Sequence, residues 1–178
     1  MEFYEMTIAG HKRQLPICEV NAHLDIAGFV IFGDVEITVD SATELLKKCP
    51  EFDYIITAEA KGIPLGYEMA RQSNKPYFVA RKGKKLYMTD SFGVDVKSIT
   101  TEAVQHLYLD GAEAKALSGK KVLIVDDVIS TGESLAALET LVSKTGAEIV
   151  GKAAILAEGD AKDREDIIFL EPLPLFFK

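Results

Sequence analysis

The segment VLIVDDVISTGES, residues 122–134, joins a buried strand, two acids and a helix start with no spare residue between them. Val122 to Val125 is an unbroken run of β-branched residues and leucine, which is typical of a parallel strand buried on both faces. Asp126 and Asp127 follow at its carboxyl end, and the turn at 128–132 opens a helix. Ligands of open α/β sheets bind at that edge, and the N–H groups of a helix start attract anions. The segment therefore predicts a phosphate site beside a carboxylate pair.

Strand and helix patterns alternate through the rest of the chain. The predicted elements are, in order, a helix from about residue 34 that ends before Pro50, a strand at 53–58, a helix to about residue 73, a strand at 76–80, and a strand at 147–157. This alternation predicts a mostly parallel α/β sheet with helices on both faces, in a single domain of residues 1–178.

The flanking segments predict less regular structure. Residues 1–33 favour short strands that form a small subdomain, and residues 34–178 would hold the core and a flexible loop. Residues 84–109 indicate a mobile hairpin or long loop followed by a returning strand, with 88–100 as the candidate closing segment. A last strand is expected at Ile167–Leu170, after which Pro172 and Pro174 should prevent regular pairing.

The composition argues against several function classes. There are 20 basic residues and 28 acidic ones, and the net charge of −8 disfavours non-specific binding to nucleic acid or to an anionic membrane. Cys18 and Cys49 lack CxxC spacing, so no disulfide framework is predicted. The N-terminal sequence MEFYEMTIAG does not resemble a signal peptide, and no apolar run has the length of a membrane span. We expect a cytoplasmic protein with no nucleic-acid or membrane partner.

The segment 122–134 also allows interpretations that need no ligand. Ser130 and Glu133 have the spacing of a capping box, which would only satisfy N–H groups at the helix start. Asp126 and Asp127 could lie in a solvated loop, although their mutual repulsion at the end of a buried strand favours a ligand or a metal. No GxxxxGK[ST] is present and no GxGxxG follows a predicted strand, so neither nucleotide triphosphate nor dinucleotide binding is indicated.

The whole segment resembles the phosphoribosyl pyrophosphate (PRPP) signature of the type I phosphoribosyltransferases: a hydrophobic strand, two acids and a threonine-glycine loop. The resemblance implies the fold of that family, with a small N-terminal hood beside the α/β core. It implies that Asp126 and Asp127 hold the ribose hydroxyls. It also implies a 5′-phosphate loop formed by Ile129, Ser130, Thr131, Gly132, Glu133 and Ser134. Mg²⁺, bound mainly through PRPP, is the implied cofactor.

Two further segments resemble the pyrophosphate-binding parts of the family. The turn formed by Ala58, Glu59, Ala60, Lys61 and Gly62 resembles the EARG-type turn of adenine phosphoribosyltransferases, with lysine in place of arginine. Lysine keeps the charge but loses the bidentate fork. Residues 79–90, VARKGKKLYMTD, resemble the segment after the third strand of adenine and xanthine enzymes. By that resemblance Arg81, Lys82 and Lys85 bind pyrophosphate, and the protein is a homodimer.

Two segments of the sequence are predicted to contact the purine base. Residues 28–34, GFVIFGD, resemble the hood segment of adenine enzymes, which implies base contacts from Val30, Ile31 and Phe32. Glu158 follows the predicted strand where xanthine enzymes place a lysine, and a carboxylate accepts hydrogen bonds from an amino purine. Against this, the Glu-Tyr-Gly loop motif of adenine enzymes is absent from 87–109, and residues 96–101 instead resemble xanthine enzymes and the purine repressor.

The resemblance implies a purine phosphoribosyltransferase of nucleotide salvage, which takes PRPP and, by preference, adenine to AMP and pyrophosphate. A xanthine or other 6-oxopurine enzyme is an alternative, and so is a non-catalytic PRPP-sensing regulator. The regulator would need a DNA-binding partner chain, because the first 30 or so residues are too few for a winged helix and the net charge is −8. The general acid or base stays unassigned, because Ser130 stands where some relatives carry an aspartate.

Overall fold

The computed structural model of the protein describes residues 2–97 and 104–178. Within them the elements are, in chain order, β1 (Phe3–Ile8), β2 (His11–Asn21), β3 (Leu24–Ala27), α1 (Val35–Lys48), β4 (Tyr54–Ala58), α2 (Ile63–Ser73), β5 (Tyr77–Ala80), β6 (Phe92–Lys97), β7 (Val104–Leu109), α3 (Gly111–Leu117), β8 (Lys121–Ile129), α4 (Glu133–Lys144), β9 (Glu148–Glu158), a 3₁₀ helix (Gly159–Asp163), β10 (Ile168–Leu173) and β11 (Leu175–Phe177). The alternation of helices and strands from residue 35 onward confirms the predicted α/β class.

The central sheet is parallel, with the strand order β10-β9-β8-β4-β5. Side chains of β8 point alternately to two hydrophobic cores. Leu123 and Val125 pack in the core that contains residues of α1 and α2, whereas Val122 and Ile124 pack in the core that contains residues of α3, α4 and the β6–β7 hairpin. Helices therefore cover both faces, as predicted, and this double burial explains the unbroken apolar run in β8.

A second sheet is antiparallel, with the order β1-β2-β3-β11. Its first three strands agree with the prediction for residues 1–33, but the fourth comes from the C-terminal segment. β10 runs through Pro172 and β11 begins directly after Pro174, so the expectation that these prolines prevent pairing is wrong. β10 is an edge strand, where a residue without an N–H group is tolerated, and Pro174 lies where the chain passes between the sheets.

Polar contacts between side chains fix this small sheet to α1 and its N-cap residue. Arg13 Nε donates to Asp34 Oδ2 at 2.7 Å, and His11 Nε2 lies 2.6 Å from Asp40 Oδ2. Asp34 is also the N-cap of α1, where its side chain accepts a hydrogen bond from the amide of Ile37 at 3.2 Å. The hood is thereby held at a defined position beside the carboxyl edge of the parallel sheet.

β8 is longer than its sequence pattern indicated. It continues through both acids to Ile129, because β9 pairs with it as far as Ile129 opposite Ala157. On the other side, β4 pairs with β8 only as far as Ile124. The prediction that the strand ends at Val125 is therefore wrong, and the acid pair lies on a strand edge that β4 leaves uncovered.

The start of α4 also differs from the prediction. Gly132, not Ser130, is the N-cap, with a φ of +82° that favours glycine, and the N-cap residue makes no side-chain hydrogen bond to the helix. The capping box expected from Ser130 and Glu133 is therefore not formed. The helix ends as predicted, with Gly146 at a φ of +81° directly after the C-cap residue.

The sequence pattern predicted only part of the structure between β5 and β8. β6 and β7 form the predicted hairpin within 84–109. Residues 98–100 of the candidate closing segment, and 98–101 of the segment that resembles xanthine enzymes, lie outside the described residues. The sequence pattern did not indicate α3, although Asp110 and Glu113 form a capping box at its start.

Candidate active site

A cleft of about 600 Å³ lies at the carboxyl edge of the parallel sheet. Most of its wall comes from four parts of the chain: the end of β8 with the loop into α4, the turn after β4, the hood strand β3 with the residues that follow it, and β7 of the hairpin. Single residues at or after the ends of β5, β9 and β10 complete it. The topology explains this convergence, because the carboxyl ends of parallel strands meet at one edge of the sheet.

The two acids predicted to hold a sugar both line this cleft, with Asp127 buried and Asp126 half-buried. Asp127 is 3% exposed, and its Oδ2 atom has no hydrogen-bond partner among the described residues. The amide of Asp127 donates to Asp126 Oδ1 at 2.8 Å. Burial, together with the neighbouring charge of Asp127, raises the pKa of Asp126 to about 8. The pair therefore offers one buried acceptor that makes no hydrogen bond within the described residues and one carboxyl group that is readily protonated.

The predicted phosphate loop lies beside the acids. Ile129, Ser130, Thr131, Gly132 and Ser134 line the cleft, and Glu133 is the first residue of α4. Thr131 Oγ1 accepts a long hydrogen bond of 3.5 Å from the amide of Glu133. The left-handed backbone at Gly132 turns the chain sharply from β8 into the helix, so the first amides of α4 lie next to the cleft.

The predicted pyrophosphate turn follows β4. Ala58, Glu59, Ala60 and Lys61 line the cleft, and the peptide bond between Glu59 and Ala60 is cis. Gly62 lies behind the turn, where a Cβ atom would stand 2.2 Å from Thr57 Oγ1 and 3.0 Å from Asp126 Oδ1. Thr57 is fully buried and its hydroxyl has no partner in the described part of the chain. A Cβ atom at position 62 would therefore clash with the buried Thr57 hydroxyl and crowd Asp126, so the turn packs closely on Asp126 only because residue 62 is glycine.

The three basic residues predicted to bind pyrophosphate after β5 do not all lie in the cleft. Lys82 lines the cleft, whereas Arg81 and Lys85 lie outside its lining. Arg81 Nε forms an ion pair with Glu59 Oε1, and Glu59 Oε2 accepts a bond of 3.3 Å from the amide of Lys82. Burial of Glu59 opposes its ionisation, but the Lys82 amide and the Arg81 guanidinium lower its pKa. Arg81 thus braces the pyrophosphate turn, and its predicted contact with pyrophosphate stays a prediction.

The residues predicted to bind a base are only partly brought to the cleft. Val30 and Glu158 line it. Ile31 is 1% exposed because it packs into the core under the hood, and Phe32 is 53% exposed outside the cleft lining. The structure therefore does not present Ile31 or Phe32 to a ligand bound in this cleft.

Several lining residues carried no recognisable signal in the sequence. They are Ile26, Ala27, Gln105, Leu107, Leu135 and Leu173. Most are apolar residues whose side chains also serve the core, so their sequence pattern does not separate them from other core positions. Gln105 is the polar exception, and the alternation of β7 places it on the same face as the buried Leu107.

A family model of the phosphoribosyl transferase domain matches residues 36–172. The chain belongs to this family. The hypoxanthine/guanine phosphoribosyltransferase of Methanococcus voltae is 37% identical over 126 residues, which cover 70% of this chain and 64% of the relative. The protein of the same name from Methanothermococcus okinawensis is 36% identical over 123 residues, which cover 68% of this chain and 63% of the relative. The chain thus spans just under two thirds of the length of these curated phosphoribosyltransferases.

Solved structures share the fold. The adenine phosphoribosyltransferase of Thermoanaerobacter pseudethanolicus aligns with a TM-score of 0.67 at 24% identity, over 80% of this chain and 84% of that one. The enzyme of Giardia lamblia in complex with 9-deazaadenine aligns with a TM-score of 0.65 at 19% identity, over 80% of this chain and 82% of that one. These likenesses show the type I phosphoribosyltransferase fold that the sequence motif implied.

Among residues 2–97 and 104–178, no helix is both long and apolar enough to cross a membrane. In the same residues there is no group of three or more His, Cys, Asp or Glu side chains that could hold a metal ion.

Proposed function

We propose that the chain is a purine phosphoribosyltransferase, which transfers the phosphoribosyl group of PRPP to a nitrogen of a purine base. One observation carries the proposal: a single cleft combines a loop at a helix start, a buried acid pair and a lysine-bearing turn. These parts correspond in chemistry to the 5′-phosphate, the ribose diol and the pyrophosphate of PRPP. Nucleotide salvage in the cytoplasm is the setting expected for such an enzyme.

The acid pair supports ribose binding. Asp127 Oδ2 is a buried acceptor that makes no hydrogen bond within the described residues and faces Lys61 Nζ at 3.5 Å, and a ribose hydroxyl is the kind of donor that would satisfy it. Asp126 lies next to it on the strand edge that β4 leaves open. In this proposal the two carboxyl groups hold the 2′- and 3′-hydroxyls and so orient the anomeric carbon between the base and the leaving group.

The turn after β4 supports the departure of pyrophosphate. Lys61 and Lys82 border the cleft and bring two positive charges to a chain whose net charge is −8. Positive charge develops on the ribose in the transition state while negative charge grows on pyrophosphate, so electrostatic stabilisation is the main contribution that we assign to these lysines. The carboxylates and the lysines suit a PRPP·Mg²⁺ complex, in which the metal is held mainly by PRPP oxygens and supplies further charge neutralisation.

The hairpin supports the exclusion of water. Gln105 and Leu107 of β7 line the cleft, and β7 is joined to β5 by the antiparallel bridge between Arg81 and Tyr108. The hairpin therefore rises from the wall of the cleft. Closure of this element over bound PRPP would protect the reactive ribose from hydrolysis.

The identity of the purine base is a more specific proposal than the reaction itself. Glu158 lines the cleft at the end of β9, and its carboxylate can accept from the amino group of adenine. The same carboxylate can accept from N1–H of hypoxanthine, or from N1–H and the 2-amino group of guanine. The curated relatives at 36–37% identity are named for hypoxanthine and guanine, so we favour a 6-oxopurine. Adenine, the preference deduced from the sequence, is the second candidate and rests on Glu158.

A homodimer is part of the same proposal. Lys85 lies outside the cleft lining of its own chain, so its predicted pyrophosphate role would be met most simply in the cleft of a second copy. Sedimentation analysis of the purified chain would test this directly. A monomer at micromolar concentration would remove the role assigned to Lys85.

Parallel assays would test the activity and the base together. The chain is incubated with PRPP and Mg²⁺ and with adenine, hypoxanthine, guanine, xanthine or orotate, and nucleotide formation is measured. Product from hypoxanthine or guanine is expected. Product from adenine alone would refute the preference for a 6-oxopurine, and product from none of the bases would refute the proposed enzymatic activity.

A further inference from the structure

Arg164, which belongs to none of the sequence motifs, lies directly against the phosphate loop. Its Nη1 atom is 2.7 Å from the position that a Cβ atom on Gly132 would occupy. Gly132 is the N-cap of α4 and has a φ of +82°. The guanidinium therefore fills the space beside the residue at which the chain turns from β8 into the helix.

Arg164 is held in this place by a bidentate ion pair. Its Nε atom donates to Asp166 Oδ1 at 2.8 Å, and its Nη2 atom donates to Asp166 Oδ2 at 2.7 Å. These bonds engage one edge of the guanidinium and leave Nη1 as the atom turned toward Gly132. Because the planar fork is held at two points, the guanidinium can leave the loop only when both bonds break, although the Arg164 and Asp166 side chains keep 31% and 53% of their surface exposed.

Asp166 is itself fixed by a second cation. Lys152 of β9 donates to Asp166 Oδ2 at 2.6 Å and to Glu139 of α4 at 2.6 Å, and its side chain is only 15% exposed. Two acids and two bases thus form one connected, neutral network from α4 through β9 to Arg164. The network ties the body of helix α4 to the residue that packs on its N-cap.

The position of Arg164 matters for an anion. The first amides of α4 already carry the positive end of the helix dipole, and Arg164 adds a permanent charge beside them. The guanidinium and the helix start together make the electrostatic potential beside the loop more positive, and a phosphate dianion is attracted to such a potential. Asp166 offsets the charge of the network as a whole, but it lies on the edge of the guanidinium away from Nη1.

We propose that Arg164 is a positioning residue for the 5′-phosphate. Anchored by Asp166, it holds the loop at Gly132 in the conformation that presents the amides of α4, and it strengthens the positive potential behind the loop. The inference rests on the proposed function of the cleft. It assigns no direct contact between Arg164 and the ligand.

Ligands that carry different parts of PRPP separate this role from general stability. Binding of ribose 5-phosphate and of inorganic pyrophosphate is measured by calorimetry for the full chain and for Arg164→Gln. We expect ribose 5-phosphate to bind about ten- to a hundredfold more weakly, with pyrophosphate unchanged. The KM for PRPP should rise by a similar factor, while kcat stays within about threefold. Lys162→Gln, which removes an exposed charge two residues away, is the matched control.

Two more variants sharpen the test. Arg164→Lys keeps the charge without the fork and should recover only part of the affinity for ribose 5-phosphate, so full recovery would refute the positioning role. Asp166→Asn keeps Arg164 but loosens its anchor, and it carries the test if Arg164→Gln does not fold. If Arg164→Gln or Asp166→Asn binds ribose 5-phosphate as tightly as Lys162→Gln does, the inference is overturned. A wild-type chain that does not bind ribose 5-phosphate would instead refute the proposed function of the loop.

Discussion

Lys61 Nζ lies 3.5 Å from Asp127 Oδ2, so an ion pair joins the pyrophosphate turn to the acid pair. The side chain of Lys61 is half exposed, whereas that of Asp127 is 4% exposed. PRPP in the proposed pose brings a hydroxyl donor to Asp127 and a polyanion to Lys61. Each partner would then exchange its contact with the other for a contact with PRPP, which limits the cost of separating the buried carboxylate from its counter-charge.

Replacing Lys61 should therefore affect catalysis more than folding. For Lys61→Met we expect kcat/KM for PRPP to fall by about a hundredfold or more, because a charge beside the departing pyrophosphate is lost. Lys61→Arg should retain a large part of the activity. Steady-state kinetics with varied PRPP provide the measurement, and Lys84→Met, at an exposed lysine of the basic cluster, is the control. Equal activities of the two methionine variants would exclude Lys61 from the site.

The basic cluster gives a second prediction. Lys82 lines the cleft and Lys84 does not, although both are exposed and only two residues apart. We expect Lys82→Ala to raise the KM for PRPP several-fold, and this effect should shrink with added salt because exposed charges are screened. Lys84→Ala should leave the KM unchanged at every ionic strength. If both variants raise the KM equally, the cluster attracts PRPP only through its total charge.

Much of the fold could be predicted because the strongest sequence signals are local. The apolar run from Val122 to Val125 and the alternation of helix and strand patterns define a parallel sheet without reference to distant contacts. The end of β8 could not be predicted in this way. It depends on β9 pairing as far as Ile129 while β4 stops at Ile124, and pairing between strands leaves no trace in either sequence alone.

The candidate site was predictable to a similar degree. Asp126, Asp127 and Lys61 were found because charged residues at the ends of apolar strands stand out from the core pattern. Arg164 was not found, because its role depends on packing against Gly132, 32 positions earlier in the chain. The error over Pro172 has the same origin, since only the sheet order shows that β10 is an edge strand.

A third prediction concerns the contact between the pyrophosphate turn and the acid pair. In Gly62→Ala the new Cβ would stand 2.2 Å from the buried Thr57 Oγ1 and 3.3 Å from the backbone Cα of Asp126. We expect a loss of about 1–3 kcal/mol in the free energy of unfolding, together with a loss of activity, because the crowded atoms belong to the site. Chemical denaturation measures the first effect and nucleotide formation the second.

Two comparisons test the cause of that loss. Gly83→Ala is the matched control, because nothing lies within 4 Å of its Cβ position. Adding Thr57→Ala to Gly62→Ala removes the hydroxyl that the new methyl group meets, and this should restore part of the stability. If Gly62→Ala is as stable and as active as Gly83→Ala, the turn does not pack on the acids as described.

The raised pKa of Asp126 predicts an opposition between stability and function. Its folded-state pKa is about 8, against an ordinary value of 3.8, so the folded protein holds this proton more tightly than the unfolded chain. The contribution of Asp126 to stability should therefore be greatest below about pH 4 and should decline as the pH rises toward 8, where the carboxyl group ionises in the folded protein. Asp126→Asn removes that ionisation. Its Tm should match that of the wild type near pH 4 and exceed it increasingly up to pH 8, by about 2–4 °C for each kcal/mol.

Thermal unfolding followed by circular dichroism across this pH range measures the effect, with Asp160→Asn, at an exposed position, as the control. The same variant should use PRPP poorly, because an amide cannot replace the charge that a carboxylate directs at the ribose hydroxyls. A Tm difference that does not vary with pH would show that Asp126 is ionised throughout. Normal PRPP kinetics in Asp126→Asn would remove the residue from the ribose site. If the environment of Asp126 serves PRPP binding at the expense of folding, Asp126→Asn should be more stable and less active than the wild type.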